Sequence, residues 1–178
     1  MKRPEPVQVV KSRRDSALAA LVAAVPYVQF LGIRFDRRGD ELTAWLPYSE
    51  MLIGNPSLPA LHGGVTASFL EVTALIGLAW SSLWDDLEAG RFDPALLAAG
   101  QLPPLPKTID FTVDYLRAGL PRDCYARATV NRSGRRFASV QVEAWQDNRA
   151  RPFALGSVHC LMPEDAGVQD TGTQGGGA

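Results

Sequence analysis

With two cysteines and two histidines in 178 residues, the chain has few routes to bound metal or cross-linking. Cys124 and Cys160 lack the spacing of a metal site and make a poor disulfide framework, so a reducing cytoplasm is the expected compartment. Two histidines are a poor basis for a histidine-rich zinc cage, and a Ser-His-Asp triad has few ways to be built from His62 and His159. Neither sign of charge dominates: a net charge of −1 gives no general attraction to nucleic acid or to an anionic membrane. The basic start, with Lys2, Arg3, Lys11, Arg13 and Arg14, is not followed by the apolar run of a signal peptide. The most apolar stretch, Leu61 to Trp84, is too interrupted by Ser, Thr and Glu to read as a membrane span. No repeat at solenoid spacing is present.

That apolar stretch is the organising element. From Val65 to Trp80 it places Phe69, Leu70, Val72, Leu75, Ile76, Leu78 and Trp80 among alanines, all round a helical axis rather than along one stripe. A helix of this kind is buried on nearly every side, and a sheet wrapped around it is the expected environment. Glu71 is the only carboxylate between Leu61 and Trp84. Ionised and unpaired in such surroundings it would cost several kcal/mol, so it must be partnered, protonated or facing a cleft.

Gly63 and Gly64 stand at the start of the same helix. Their backbone is open to close approach, and first-turn N–H groups have no intrahelical acceptor, which makes a site for a developing oxyanion. A tight turn into the helix is the plainer use of such a pair. Gly64 and Glu71 share a face but lie about 10 Å apart along the axis. If both act on one carbonyl, the simplest geometry takes Gly64 from one chain and Glu71 from its neighbour across a two-fold axis. A homodimer, or a dimer of dimers, is the expected active unit.

The remaining chain reads as one domain. Residues 1–14 suggest a flexible start, and Ser12 or Asp15 would cap a helix through Leu18, Leu21, Val22 and Val25, ended by Pro26 and an extended 27–30. Residues 32–35 and 41–48 form a hairpin. The proline-rich loop 49–61 delivers the chain to His62. Residues 85–106 are a helix-to-strand insertion, with a short helix over 94–100, serving as a lid or a surface loop. Thr108 to Leu116 alternates, with Ile109, Phe111, Val113 and Tyr115 on one face and Thr108, Asp110, Thr112 and Asp114 on the other. Strands over 124–131, 137–146 and 152–162 make an antiparallel meander, and the tail 163–178 should be disordered. Strands interrupted by one long helix indicate an α+β fold.

The combination His62-Gly63-Gly64 with Glu71, preceded by Ile53-Gly54-Asn55-Pro56 and followed by Thr108-Ile109-Asp110-Phe111-Thr112-Val113-Asp114-Tyr115-Leu116, resembles the hotdog-fold acyl-CoA thioesterases of the phenylacetate-pathway (PaaI-like) type. The similarity runs from about Val28 to Met162. It implies an antiparallel sheet wrapped around one long central helix, two chains joined edge to edge, and hydrolysis of an aryl- or acyl-CoA thioester at their interface. On that pattern Gly64 would polarise the carbonyl through its N–H, and Glu71 of the partner chain would be nucleophile or general base. His62 would fix the Gly-Gly loop or contact the thioester oxygen. The resemblance further implies that Asn55 holds a water or the thioester oxygen and that Thr108 holds a water, although the gap from Asn55 to His62 is one residue longer than in the family. Gly63 belongs to the substrate-binding turn.

CoA phosphates need cations. Arg132, Arg135 and Arg136 at one turn, and Arg117 and Arg122 at another, are candidates, and arginines at hairpin tips also serve simply as solvated charges. CoA enters as part of the substrate; no cofactor or metal is required. Two other readings remain: a non-catalytic acyl-CoA-binding hotdog module, and a hotdog dehydratase, whose acid/base pair would have to draw on His159.

Overall fold

A computed structural model describes residues 5–163. Residues 1–4 of the expected flexible start and 164–178 of the expected disordered tail lie outside it. The elements run α1 (Val7–Ala23), α2 (Pro26–Leu31), β1 (Arg34–Arg38), β2 (Glu41–Leu46), a short 3-10 turn (Glu50–Leu52), α3 (Gly63–Glu88), α4 (Pro94–Ala98), β3 (Lys107–Tyr115), β4 (Cys124–Ser133), β5 (Phe137–Trp145) and β6 (Ala154–Leu161). Six strands form one sheet in the order β1-β2-β4-β5-β6-β3, every neighbouring pair antiparallel. This is the hotdog fold, with α3 as the helix the sheet packs against.

Alternation places the core. Ala138, Val140, Val142 and Ala144 of β5 and Ala154, Val158 and Cys160 of β6 point inward and are buried, as period-two side-chain direction requires. Phe69, Leu70, Leu78 and Leu83 of α3 are fully buried against them, each contributing about 1.5–3 kcal/mol of apolar burial. The most apolar window of α3 has a mean hydropathy of 1.4, and this packing accounts for it. Close approach needs small residues: a Cβ at Gly156 would stand 2.8 Å from Val142 Cγ1 and 2.9 Å from Phe111 Cε2.

The structure departs from the sequence reading in three places. Helix α1 starts at Val7, so residues 7–14 of the expected flexible start are helical. Long-range contacts hold them: Arg14 stacks 4.1 Å over the Trp84 ring and pairs with Asp40, while Arg37 pairs with Asp15. Pro26 does not lead into an extended segment but opens α2 from its first turn, where its missing N–H costs nothing. Third, β3 carries a bulge between Thr108 and Asp110. One extra residue shifts the alternation, so Thr108 lies opposite buried Cys160, while Ile109 is 55 % exposed. The 85–106 segment resolves into the last turn of α3, the short α4 and an extended Pro-rich return to β3.

Candidate active site

The loop before α3 closes on itself to present His62. Gly54 N–H donates to Ala60 O, Leu61 N–H to Gly119 O and His62 N–H to Leu52 O, at 3.1, 2.8 and 2.8 Å. A Cβ on Gly54 would stand 2.9 Å from the His62 ring, so the turn depends on glycine there. His62 is the N-cap of α3, and its Nδ1 accepts the Gly64 N–H at 2.9 Å. An accepting Nδ1 places the neutral ring's proton on Nε2. The N–H expected to meet a thioester oxygen is therefore held by His62 in the single chain. Among the described residues the Gly63 and Val65 N–H groups have no hydrogen bond, and His62, Gly63 and Gly64 are exposed.

Because His62 acts as the cap, His62→Ala is expected to cost about 1 kcal/mol. That corresponds to a fall in Tm of about 2–4 °C, read by thermal unfolding, with His62→Asn, a good capping residue, recovering most of the loss. Equal Tm values for His62→Ala and wild type would show that the bond to Gly64 contributes nothing.

Tyr115, which the sequence analysis did not single out, ties the helix start to the sheet. Its hydroxyl donates to Gly63 O at 2.8 Å. It sits at the exposed end of β3, in alternation with Phe111 and Val113, a position readable from the sequence, although its target is not.

Glu71 and Thr108 are linked through Cys160, toward the other end of β3. Glu71 is half-buried. The Cys160 thiol is pushed up, first by burial and then by the negative charge of Glu71, and Cys160 is the register partner of Thr108. Thr108 Oγ1 is buried with no hydrogen-bond partner, and a buried hydroxyl left so is uncommon. Arg132, Arg135 and Arg136 are exposed around the β4–β5 turn. With Ile109, His159 and Cys160 they border an open cleft of about 430 Å³, at the same end of the sheet as Thr108.

Other candidates lie apart or are otherwise engaged. Asn55 is exposed, and its Oδ1 accepts the Ser57 N–H at 2.9 Å, an ordinary turn contact. Arg122 pairs with Asp147 at 2.7 Å. His159 lies on the outer face, 4.0 Å from Asp110, away from the inward side that Glu71 occupies, so a dehydratase pair of His159 with Glu71 is not formed. Cys124 is buried and its thiol is raised to about 12, chiefly by burial, which leaves essentially no thiolate for nucleophilic attack. Among the described residues no group of three or more His, Cys, Asp and Glu side chains is placed to hold a metal ion.

The architecture places two groups at opposite ends of β3: first-turn donors beside Tyr115, and a carboxylate with an unpartnered hydroxyl beside Thr108. Comparison with known proteins gives the family and the fold. The model of the thioesterase superfamily matches residues 58–153, from the turn into α3 to the start of β6. A medium/long-chain acyl-CoA thioesterase, YigI of Escherichia coli K12, is 32 % identical over 123 residues, covering 67 % of this chain and 74 % of that protein. A solved structure from Chromobacterium violaceum is 32 % identical, with a TM-score of 0.59 over 88 % of this chain and 96 % of that one. A phenylacetic acid degradation-related protein from Ralstonia eutropha shares the fold at 16 % identity, with a TM-score of 0.60 over 82 % of this chain and 99 % of its own.

Proposed function

Since the chain belongs to the thioesterase superfamily and is a thioester hydrolase, we propose that it cleaves acyl-CoA thioesters in the cytoplasm, at a site shared by two copies of itself. The opposed ends of β3 carry this reading. β3 is an edge strand of nine residues, and a long unpaired edge invites another strand. Antiparallel pairing of two β3 strands about a two-fold axis reverses direction. It brings the partner's first-turn donors toward this chain's Glu71 and Thr108, which the single chain keeps apart by roughly the 10 Å of two helical turns.

In this arrangement the thioester oxygen takes the Gly64 N–H of one chain, released from His62, together with its neighbours in the turn. One such donor is worth about 3–4 kcal/mol in the transition state. Glu71 of the other chain draws a proton from a water that Thr108 Oγ1 helps to hold; that hydroxyl's lack of a partner favours the water route over direct attack by the carboxylate. Water adds to the carbonyl carbon, the C–S bond breaks, and CoA leaves as the thiol with a carboxylic acid as co-product. Arg132, Arg135 and Arg136 supply cations for CoA phosphates beside that end of the site. The engagement of Asn55 in its turn gives it a supporting place at most.

The relationship to YigI supports medium and long acyl chains as substrates. Release of free thiol from a panel of aryl, butanoyl, octanoyl and dodecanoyl-CoA esters tests this. Turnover that rises from butanoyl to dodecanoyl-CoA is expected; turnover of aryl esters alone would overturn the chain-length assignment, and turnover of none would overturn acyl-CoA as the substrate.

A further inference from the structure

We propose that Tyr27 and Phe30, on the short helix α2, form the surface along which the acyl chain lies, and so set which acyl groups the enzyme accepts. The inference rests on the acyl-CoA thioesterase reading above. It starts from two aromatic residues that the fold leaves out of its core. Val28 of α2 is fully buried, whereas Tyr27 is 48 % and Phe30 79 % exposed. Their rings stack, with centroids 6.1 Å apart and planes 16° from parallel, so they present one continuous apolar face.

Its place is fixed. The Tyr27 hydroxyl and Ser68 Oγ are hydrogen-bonded at 2.9 Å. Ser68 lies four residues after Gly64 and three before Glu71, so all three share one stripe of α3. The aromatic face therefore borders the stripe that carries both the oxyanion donors and the carboxylate. Gln29 Nε2 donates to Val22 O of α1 at 2.8 Å, and the Ile33 N–H closes the C-terminal end of α2 on Val28 O at 3.1 Å, so α2 is tied to α1 and its end is capped.

An exposed aromatic pair anchored beside polar reacting groups suits a substrate with an apolar arm and a polar head. A saturated acyl chain leaving the carbonyl has that chemistry. The CoA half, with its phosphates, has the arginine cleft instead.

The test is the ratio of kcat/KM for dodecanoyl-CoA to that for butanoyl-CoA in wild type, Phe30→Ala, Phe30→Trp and Tyr27→Phe, with mass by light scattering. Each methylene deprived of contact changes affinity roughly fourfold, so Phe30→Ala is expected to lower the ratio about tenfold, chiefly through KM for the longer ester. Phe30→Trp should keep or raise it. Tyr27→Phe, which keeps the ring and loses the bond to Ser68, should lower it less. An unchanged ratio in Phe30→Ala, with wild type active on both esters, would overturn the inference and leave the thioesterase reading standing. A change in mass would overturn it too, assigning the pair to a chain interface. A wild type inactive on every CoA ester would overturn the reading on which it rests.

Discussion

Glu71→Gln is expected to fold and assemble as the wild type does while acyl-CoA hydrolysis falls by roughly 10²–10⁴-fold, the range that a positioned general base contributes. The argument is one of chemistry at constant shape. Gln fills the same half-buried space on α3, so the core formed by Phe69, Leu70 and Val72 is untouched. It cannot take a proton from water or attack a carbonyl carbon. No other carboxylate lies on α3 before Asp85, some twenty ångströms further along the axis by the helical rise, so no neighbour can substitute. Initial rates of thiol release measure the loss, and thermal unfolding with light scattering checks that fold and mass are unchanged. Equal rates in the two proteins would remove Glu71 from the mechanism. A loss of activity accompanied by loss of fold would mean that the carboxylate's role is structural.

How much of this could be read from the chain depends on how local each determinant is. Helix α3 is legible because apolar residues all round its axis admit little but a buried helix, and β5 and β6 because period-two alternation survives along each of them; in β4 it holds only over the first residues, before the register shift between Val130 and Arg132. The His62-Gly63-Gly64 turn and Glu71 were legible as polar or small exceptions inside that pattern. The bulge in β3 was not: it has no glycine to mark it, yet one inserted residue moves Thr108 from the outer to the inner face. The start of α1 was hidden for a different reason. Its basic residues look solvated in sequence, but Arg14 finds Trp84 and Asp40 only in the folded chain. Pro26 suits the end of one helix and serves equally as the first residue of the next. Contacts such as Tyr115 to Gly63 and Tyr27 to Ser68 span 52 and 41 residues, and no local pattern announces them.

Co-expression of Glu71→Gln with Gly64→Val should yield an active mixed dimer from two inactive parents. A Cβ at Gly64 would stand 3.0 Å from His62 Nδ1 and 3.2 Å from its Cε1, and a branched side chain would cover the face by which a carbonyl must approach the N–H. Gly64 has no positive φ, so the helix itself should persist. In a mixed dimer, the intact Gly64 turn of the Glu71→Gln chain meets the intact Glu71 of the Gly64→Val chain, while the second site carries both lesions. If each site takes its donors from one chain and its carboxylate from the other, purification through two different affinity tags should recover about half the wild-type activity per dimer. If each site lies within one chain, every site in the mixed dimer carries one lesion, and it should be as inactive as its parents. A protein that is monomeric by light scattering yet fully active would reject the shared site before any mixing is attempted. Restored hydrolysis would instead establish that each site takes its donors from one chain and its carboxylate from the other, as pairing of two chains across the β3 edge predicts.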